Sequence, residues 1–428
     1  MSVYKSDLKK VAPYTIVNDE NKSISIEKKE TEKDKDKDIN IKKEFTVNLK
    51  NKLNINYNMK DINFGNIPNR NSTRLLTYNF FCRPPPVHTN KSDYKDSRLK
   101  DFAKQLPNFD IICFQELFTT LNDRKHRMIR EGAKVGLKYY LSSKVPSFFS
   151  KYLVDSGLLI LSRYPIVDHD FYEYFITISG DAVGFKGVLY AKIRINNKYL
   201  FLFNTHLQST YFNECQKNID CTIQVRTAQT EEMINFVYNK ILLTPREEIK
   251  NGLILILGDF NIDANDNIFV KKRYKVPKYK NTEYNIFKQK INKLGVAIDL
   301  MMKKYNKHLY TFGNNEKEEY DHSLTSQAEF NFKQTLDYIW EIIPDYNLDI
   351  YKKGLKYKET NEEDDNKIYE NSKIKVLYDT FKVQEFLVKD RPYQQLSDHF
   401  GISVELYSPQ VNGQSLNASG VEIPSKGI

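Results

Sequence analysis

Short apolar runs of about strand length, several closing on a polar and chemically capable residue, recur along the chain. They fall at residues 74–80, 111–115, 157–162, 188–195, 199–206, 252–259, 334–340 and 401–406. Their composition and length predict strands. Between them, at 97–106, 122–135 and 227–240, apolar residues return at three-to-four spacing, which predicts helices. Strands mixed with helices predict an α/β body.

The longest unbroken apolar runs, 157–161, 199–203 and 253–257, fall far short of the about 20 residues that a membrane-spanning helix needs. Residues 1–11 alternate Lys with Val and Leu and lack the apolar centre of a secretory signal. The expectation is a cytoplasmic protein that meets membranes only peripherally. Residues 28–43, KKETEKDKDKDINIKK, offer almost nothing to bury and are expected to be disordered. The organisation expected is a charged, largely disordered segment 1–70, a folded body 71–408 and a flexible tail 409–428. Lys/Asn-rich surface insertions are expected near 271–284 and 353–373.

Composition refines this only slightly. Hydrophobic residues make up 40% of the 428, enough for a large core, and length alone does not divide the chain. Lys and Arg total 65 against 55 for Asp and Glu, a net charge of +10. That excess favours an anionic contact, whether nucleic acid, phosphorylated metabolite or membrane surface, and it equally fits solvated Lys-rich loops. Four cysteines make no disulfide framework and no CxxC pair. Cys215 and Cys221 lie in a polar stretch and read as two unpaired loop thiols that would close a small loop if oxidised.

The residues at and just beyond the strand ends carry the chemistry. They are Asn79 in TYNF, Gln115 and Glu116 in FQEL, His206 in NTHLQS, Asp259 and Asn261 in GDFN, Asp337 in LDYIW, and Asp398 and His399 in SDHF. Any one alone would be an ordinary satisfied polar group. Their joint order is far more specific. Glu116 with Asn79 offers hard oxygen ligands suited to Mg²⁺, with Mn²⁺ as a substitute, and no Cys/His cluster suggests zinc. A histidine held by a carboxylate, as His399 and Asp337 could be, takes a proton from water at neutral pH.

The order YN, QE, NTHLQS, GDFN, LDYI, SDH, spanning about residues 74–406, resembles the superfamily of deoxyribonuclease I, apurinic endonucleases, inositol polyphosphate phosphatases, deadenylases and neutral sphingomyelinases. The resemblance implies a four-layered α/β sandwich, two packed mixed β-sheets flanked by helices. It implies Glu116 as the principal metal ligand with Asn79 beside it, and His399 as the base, oriented by Asp337. Asp259 would align the attacking water, and Asn261 and His206 would hydrogen-bond the phosphoryl oxygens. Asp398 belongs to the metal set through water or braces its loop.

The segment GDAVGFKGVLYA, with Asp181 five residues before Lys186, resembles the Asp/Lys segment of neutral sphingomyelinases, as do DSGLLILSRYPI and NTHLQS. That implies a loop over the site in which Asp181 orders Lys186 toward a lipid phosphate; the alternative is an ordinary ion pair. The activity implied is phospholipase C-type hydrolysis of sphingomyelin or lysophosphatidylcholine, with a choline-headgroup phospholipid at a membrane surface as partner. Deadenylases share NTHL, GDFN and SDH, so a nuclease acting on nucleic acid ranks second. No protein partner is expected. Phe148 and Phe149, and Phe386 to Val388, read either as membrane-contacting side chains or as buried core.

Overall fold

Strand β2 (Ile111–Leu117) shows why the apolar runs are unbroken rather than alternating. Ile111 and Cys113 face one buried cluster while Ile112 and Phe114 face another. In the same way Leu253, Leu255 and Leu257 of β8 (Leu253–Asp259) look one way, and Ile254 and Ile256 the other. A strand covered on both faces must be apolar at every position. Each fully buried aliphatic side chain contributes about 1.5–3 kcal/mol.

The structure, a computed structural model, describes residues 72–89, 92–144, 146, 152–210, 216–265, 282–315, 322–327, 329–345 and 373–408. The proposed segment 1–70, most of both insertions, the tail 409–428, Phe148, Phe149 and Cys215 lie outside these residues.

One sheet has the order β11-β12-β1-β2-β4-β3, built from β11 (Lys375–Gln384), β12 (Gly401–Tyr407), β1 (Ser72–Cys82), β2, β4 (Leu159–Ser162) and β3 (Tyr139–Ser142). The other has the order β5-β6-β7-β8-β10-β9, from β5 (Ile166–Glu173), β6 (Gly187–Ile195), β7 (Lys198–His206), β8, β10 (Asp337–Ile343) and β9 (Val296–Asp299). The pairs β1–β2 and β7–β8 are parallel and the remaining pairs antiparallel, so both sheets are mixed. Leu75, Ile160, Leu202, Leu255 and Ile339 share the core between the sheets. Helices α1 (Lys95–Ala103) and α2 (Arg124–Lys134) contribute Leu99, Phe102 and Met128 to the cluster on the outer face of the first sheet. Helices α3 (Gln216–Leu242) and α5 (Glu283–Ile291) contribute Met233, Val237 and Phe287 outside the second. The short helices α4 (Arg246–Asn251) and α6 (Leu300–Tyr305) precede β8 and follow β9. Helix, sheet, sheet and helix form the four layers expected.

Eight strands are expected from sequence, and β3, β5, β9 and β11 join them in the structure. These four are the edge strands of the two sheets. Paired on one side only, they carry polar side chains such as those of Asp168, His169, Asp170, Lys375 and Asp379. Edge strands need no continuous apolar run, and charge there discourages pairing with other chains.

One expectation is corrected and one open alternative is decided. Cys221 sits within helix α3 rather than in a loop, where the hydrogen-bonded turns from Gln216 onward continue the helical pattern. Phe386 is not free for membrane contact: its ring lies 5.1 Å from that of Tyr78 and 5.3 Å from that of Phe102, and Val388 also packs on this cluster. Leu387 between them is exposed.

One buried cation fastens the catalytic end. Arg98 donates from Nε to the carbonyl of Asp93 (2.7 Å), from Nη1 to those of Phe80 (2.9 Å) and Leu396 (2.8 Å), and from Nη2 to that of Phe81 (2.6 Å). It thereby joins the end of β1 and the loop after it to the turn before β12.

Candidate active site

The polar strand ends converge because of strand direction. β1, β2, β7 and β8 finish at the same end of the sandwich where β10 and β12 begin. Register completes the alignment: Asn79 is level with Gln115, and Asp259 with both His206 and Asp337.

Asn79 lies at the centre. Its Nδ2 donates to Glu116 Oε1 (3.1 Å) and Asp259 Oδ2 (2.9 Å) and lies 3.4 Å from His399 Nε2. Its Oδ1 accepts from the Phe81 N–H at 3.0 Å. The oxygen expected to face a cation is therefore turned toward Phe81, whose left-handed backbone aims its N–H at it, while two carboxylates attract the amide nitrogen.

Glu116 follows Gln115 with a φ of 54°. A non-glycine residue in this left-handed region stores about 1–2 kcal/mol, and Gly157 makes the turn sterically feasible. A Cβ at Gly157 would stand 3.0 Å from Glu116 Cα, and Leu117 N–H donates to the Gly157 carbonyl at 2.9 Å. Next to it, Asp155 is paired inside the protein with Lys125 and accepts from the Thr119 N–H at 2.9 Å. The DSG segment thus seats the carboxylate of Glu116 at the pocket.

His399 Nδ1 is 2.8 Å from Asp337 Oδ2, leaving Nε2 directed toward Asp259 Oδ2 at 3.7 Å. Burial opposes the charge on His399, but Asp337 and Asp259 together outweigh it and push the ring up to about 10. Burial likewise raises Asp259 to about 6, against the pull of His399. For Asp398 burial again leads; His399 opposes it and the Glu116 carboxylate adds to it, taking the acid up to about 7.

Lys186 reaches the cluster from the start of β6. Its Nζ donates to His206 Nε2 (2.9 Å), the Leu207 carbonyl (2.6 Å) and Ser209 Oγ (3.3 Å), and lies 3.1 Å from Asp181 Oδ2. Asp181 is itself fixed, accepting from Ser209 N–H (2.7 Å) and Gln208 Nε2 (2.9 Å). An ammonium only donates, so His206 Nε2 is the acceptor here. Burial first and then Lys186 hold His206 well below the usual imidazole range. His206 Nε2 is also 3.4 Å from Asp259 Oδ2 and 4.0 Å from Glu116 Oε1. Asn261, with a φ of 52°, donates from Nδ2 to the Leu207 carbonyl at 3.0 Å.

All eleven residues singled out from sequence thus gather at one end, with two differences of detail besides the turned oxygen of Asn79. Lys186 is buried against His206 rather than extended over the opening, and His206 Nε2 accepts a hydrogen bond in this geometry rather than offering one. Several supports were not singled out. Ser397 Oγ donates to the Asn79 carbonyl (2.7 Å), Thr311 Oγ1 receives the Asp337 N–H (3.0 Å), and Phe312 lies against the His399 ring at 5.1 Å. Gln115 Nε2 donates to Asn204 Oδ1 at 2.6 Å, joining the sheets beneath the site. Ser397, Asn204 and Gln208 lie inside the recognised motifs, which is the signal that could have found them.

A divalent cation fits this donor set. Glu116, His206 and Asp259 place ligand atoms within 4.8 Å of one another, as do Asp259, Asp337 and His399. Four carboxylates, Glu116, Asp259, Asp337 and Asp398, meet two cationic groups, Lys186 and the raised His399. The surplus negative charge and hard oxygens suit an ion of the Mg²⁺ type.

A two-sheet sandwich with a carboxylate-held histidine beside a cluster of acidic side chains, together with the family and relatives that it matches, makes the chain a phosphoric diester hydrolase. The chain belongs to the endonuclease/exonuclease/phosphatase family, whose model matches residues 74–300. Within that family it is similar to a sphingomyelinase of Dictyostelium discoideum, 27% identical over 361 residues, covering 75% of this chain and 76% of the relative. It is also 25% identical over 201 residues to a sphingomyelinase C of Bacillus cereus, covering 45% of this chain and 58% of the relative. The crystal structure of sphingomyelinase C from Streptomyces griseocarneus shares the fold at a TM-score of 0.50 and 17% identity, covering 78% of this chain and 99% of that one. No helix among the described residues is long and apolar enough to cross a membrane.

Proposed function

We propose that the chain is a Mg²⁺-dependent phospholipase C-type phosphodiesterase that releases phosphocholine from sphingomyelin or lysophosphatidylcholine. The observation that carries this reading is the Lys186–His206 contact, which ties the sphingomyelinase-like Asp/Lys segment into the hub of His399 and Asp337. Similarity to named sphingomyelinases supports the lipid substrate.

Glu116 would hold the cation, with Asp398 close by and Asn79 setting the carboxylate through its amide. When bound, the ion neutralises charge on the phosphoryl oxygens and on the departing alkoxide. His399 is cationic while the surrounding carboxylates are unscreened; a bound cation would offset their charge and free Nε2, which Asp337 aims toward Asp259, to take the proton of the attacking water that Asp259 helps to align. Asn261 would bring an N–H donor toward the phosphoryl oxygens as their charge grows, while Lys186, held against His206, would add positive charge from beneath. The phosphorus–oxygen bond to the lipid alcohol breaks, leaving ceramide or monoacylglycerol, and the water oxygen remains on phosphocholine.

The test is phosphocholine release from both lipids in detergent-mixed micelles with Mg²⁺, alongside cleavage of single-stranded RNA, for wild type and His399→Ala. Choline-lipid hydrolysis lost in the variant is the expected result. RNA cleavage lost in the variant, with both lipids untouched by wild type, would overturn the substrate and leave the family intact.

A further inference from the structure

Five of the twelve large exposed apolar side chains among the described residues lie on loops that adjoin one another. Leu121 is 82% exposed, Leu153 72%, Phe175 73%, Ile176 40% and Val183 52%. Leu121 lies on the loop after β2, which carries Glu116. Leu153 precedes the DSG segment. Phe175, Ile176 and Val183 lie on the β5–β6 loop, which also carries Asp181 and leads into Lys186.

These loops are neighbours and are firmly held. The N–H groups of Leu153 and Val154 both donate to the Val183 carbonyl, at 2.8 and 3.2 Å. Thr120 Oγ1 lies 3.4 Å from the Leu153 carbonyl, and Gln229 Nε2 donates to that of Ile176 at 2.8 Å. The buried Lys125–Asp155 pair anchors the base of the same loops. The exposure is therefore a property of an ordered backbone and not of frayed chain. A monomeric protein gains nothing from keeping such side chains in water, and grouped exposed apolar residues mark a contact surface.

We infer that Leu121, Leu153, Phe175, Ile176 and Val183 form a rim that docks the catalytic end onto the surface of a phospholipid bilayer. This rests on the lipid reading of the site. Two observations name the occupant. A lipid phosphodiester can enter the pocket only while its chains stay in an apolar medium outside it, and the rim lies on the loops that deliver Glu116 and Lys186 to the pocket. The helix that follows Leu121 opens RKHRMIR, where exposed Arg130 pairs with Asp123 and partly exposed Arg127 with Asp96, surface ion pairs weak enough to be shared with lipid phosphates beside the apolar side chains. Phe386, considered for this role from sequence, is half-buried against the rings of Tyr78 and Phe102.

The test uses the full chain carrying His399→Ala, so that vesicles stay intact, and co-sedimentation with vesicles of phosphatidylcholine, sphingomyelin and phosphatidylserine. Adding Leu121→Ser, Leu153→Ser and Val183→Ser together is expected to weaken partitioning by roughly tenfold or more. Leu243→Ser, an exposed leucine just beyond the end of α3, is expected to leave it unchanged. With His399 restored, the triple variant should lose hydrolysis of vesicle lipid while keeping that of a short-chain monomeric choline lipid. Equal partitioning of triple variant and parent would overturn the inference. So would a parent that self-associates and becomes monomeric on the triple substitution, which would assign the rim to a second copy. Rim-dependent vesicle binding without choline-lipid hydrolysis by wild type would uphold docking and sink the substrate instead.

Discussion

Asp337 and His399, 2.8 Å apart, come from different sheets: Asp337 opens β10 and His399 lies in the turn before β12. The His399 ring, the proposed base, keeps this orientation only while the two layers keep their relative position. Asp337→Asn should therefore cost more than one hydrogen bond. Steady-state kinetics is expected to show kcat reduced by about 10²–10⁴-fold, with the circular dichroism of the fold unchanged.

The same pair predicts a pH dependence of stability. His399 in the metal-free protein is pushed up to about 10, above its unfolded value of about 6.5. A raised group stabilises fully below the unfolded value and loses that contribution as pH rises through the folded one. Denaturation midpoints of metal-free wild type should exceed those of Asp337→Asn near pH 6, and the gap should shrink as pH approaches about 10.

Glu116 should govern cation binding. Mg²⁺ at about a hundred times its dissociation constant is expected to stabilise wild type by about 2.7 kcal/mol. In Glu116→Gln the same addition should leave the thermal midpoint nearly unmoved. Equal protection of both proteins would remove Glu116 from the metal set.

Gly157→Ala should be damaging in two ways. Its φ is 69°, and the added Cβ would press on the Glu116 backbone. The expected loss is about 1–3 kcal/mol of stability, read by chemical denaturation, together with weaker Mg²⁺ protection because Glu116 must shift.

Lys186→Ala removes the cation that helps hold His206 low. Activity on choline lipid is expected to fall by about 10²–10³-fold, the usual cost of losing one charge-stabilising donor. The His206 ring, followed by nuclear magnetic resonance, should titrate nearer its ordinary range.

Legibility from sequence followed burial and chemistry. Central strands such as β2 and β8 are covered on both faces and could not avoid an apolar run, so they stood out. Edge strands such as β5, with Asp168 and Asp170, satisfy their backbone through one neighbour and carry no such demand. At the site, Glu116 and His399 were visible because their chemistry is rare and their order specific. What could not be read was contact made through folding. Lys186 turning inward to His206, or Phe386 filling space beside Tyr78, depends on which loops meet, and spacing along the chain does not encode it.

The pairing of β1 with β12, from Ser72 opposite Tyr407 to Thr77 opposite Ile402, also bears on how the protein is made. A ribosome delivers β1 more than three hundred residues before the strand that flanks it. Until then one side of β1 lacks its partner, and His399, just upstream of β12, cannot meet Asp337. Hydrolytic competence is thus withheld throughout translation of the body and conferred by its last strand, so a nascent chain stalled before that point carries an incomplete site.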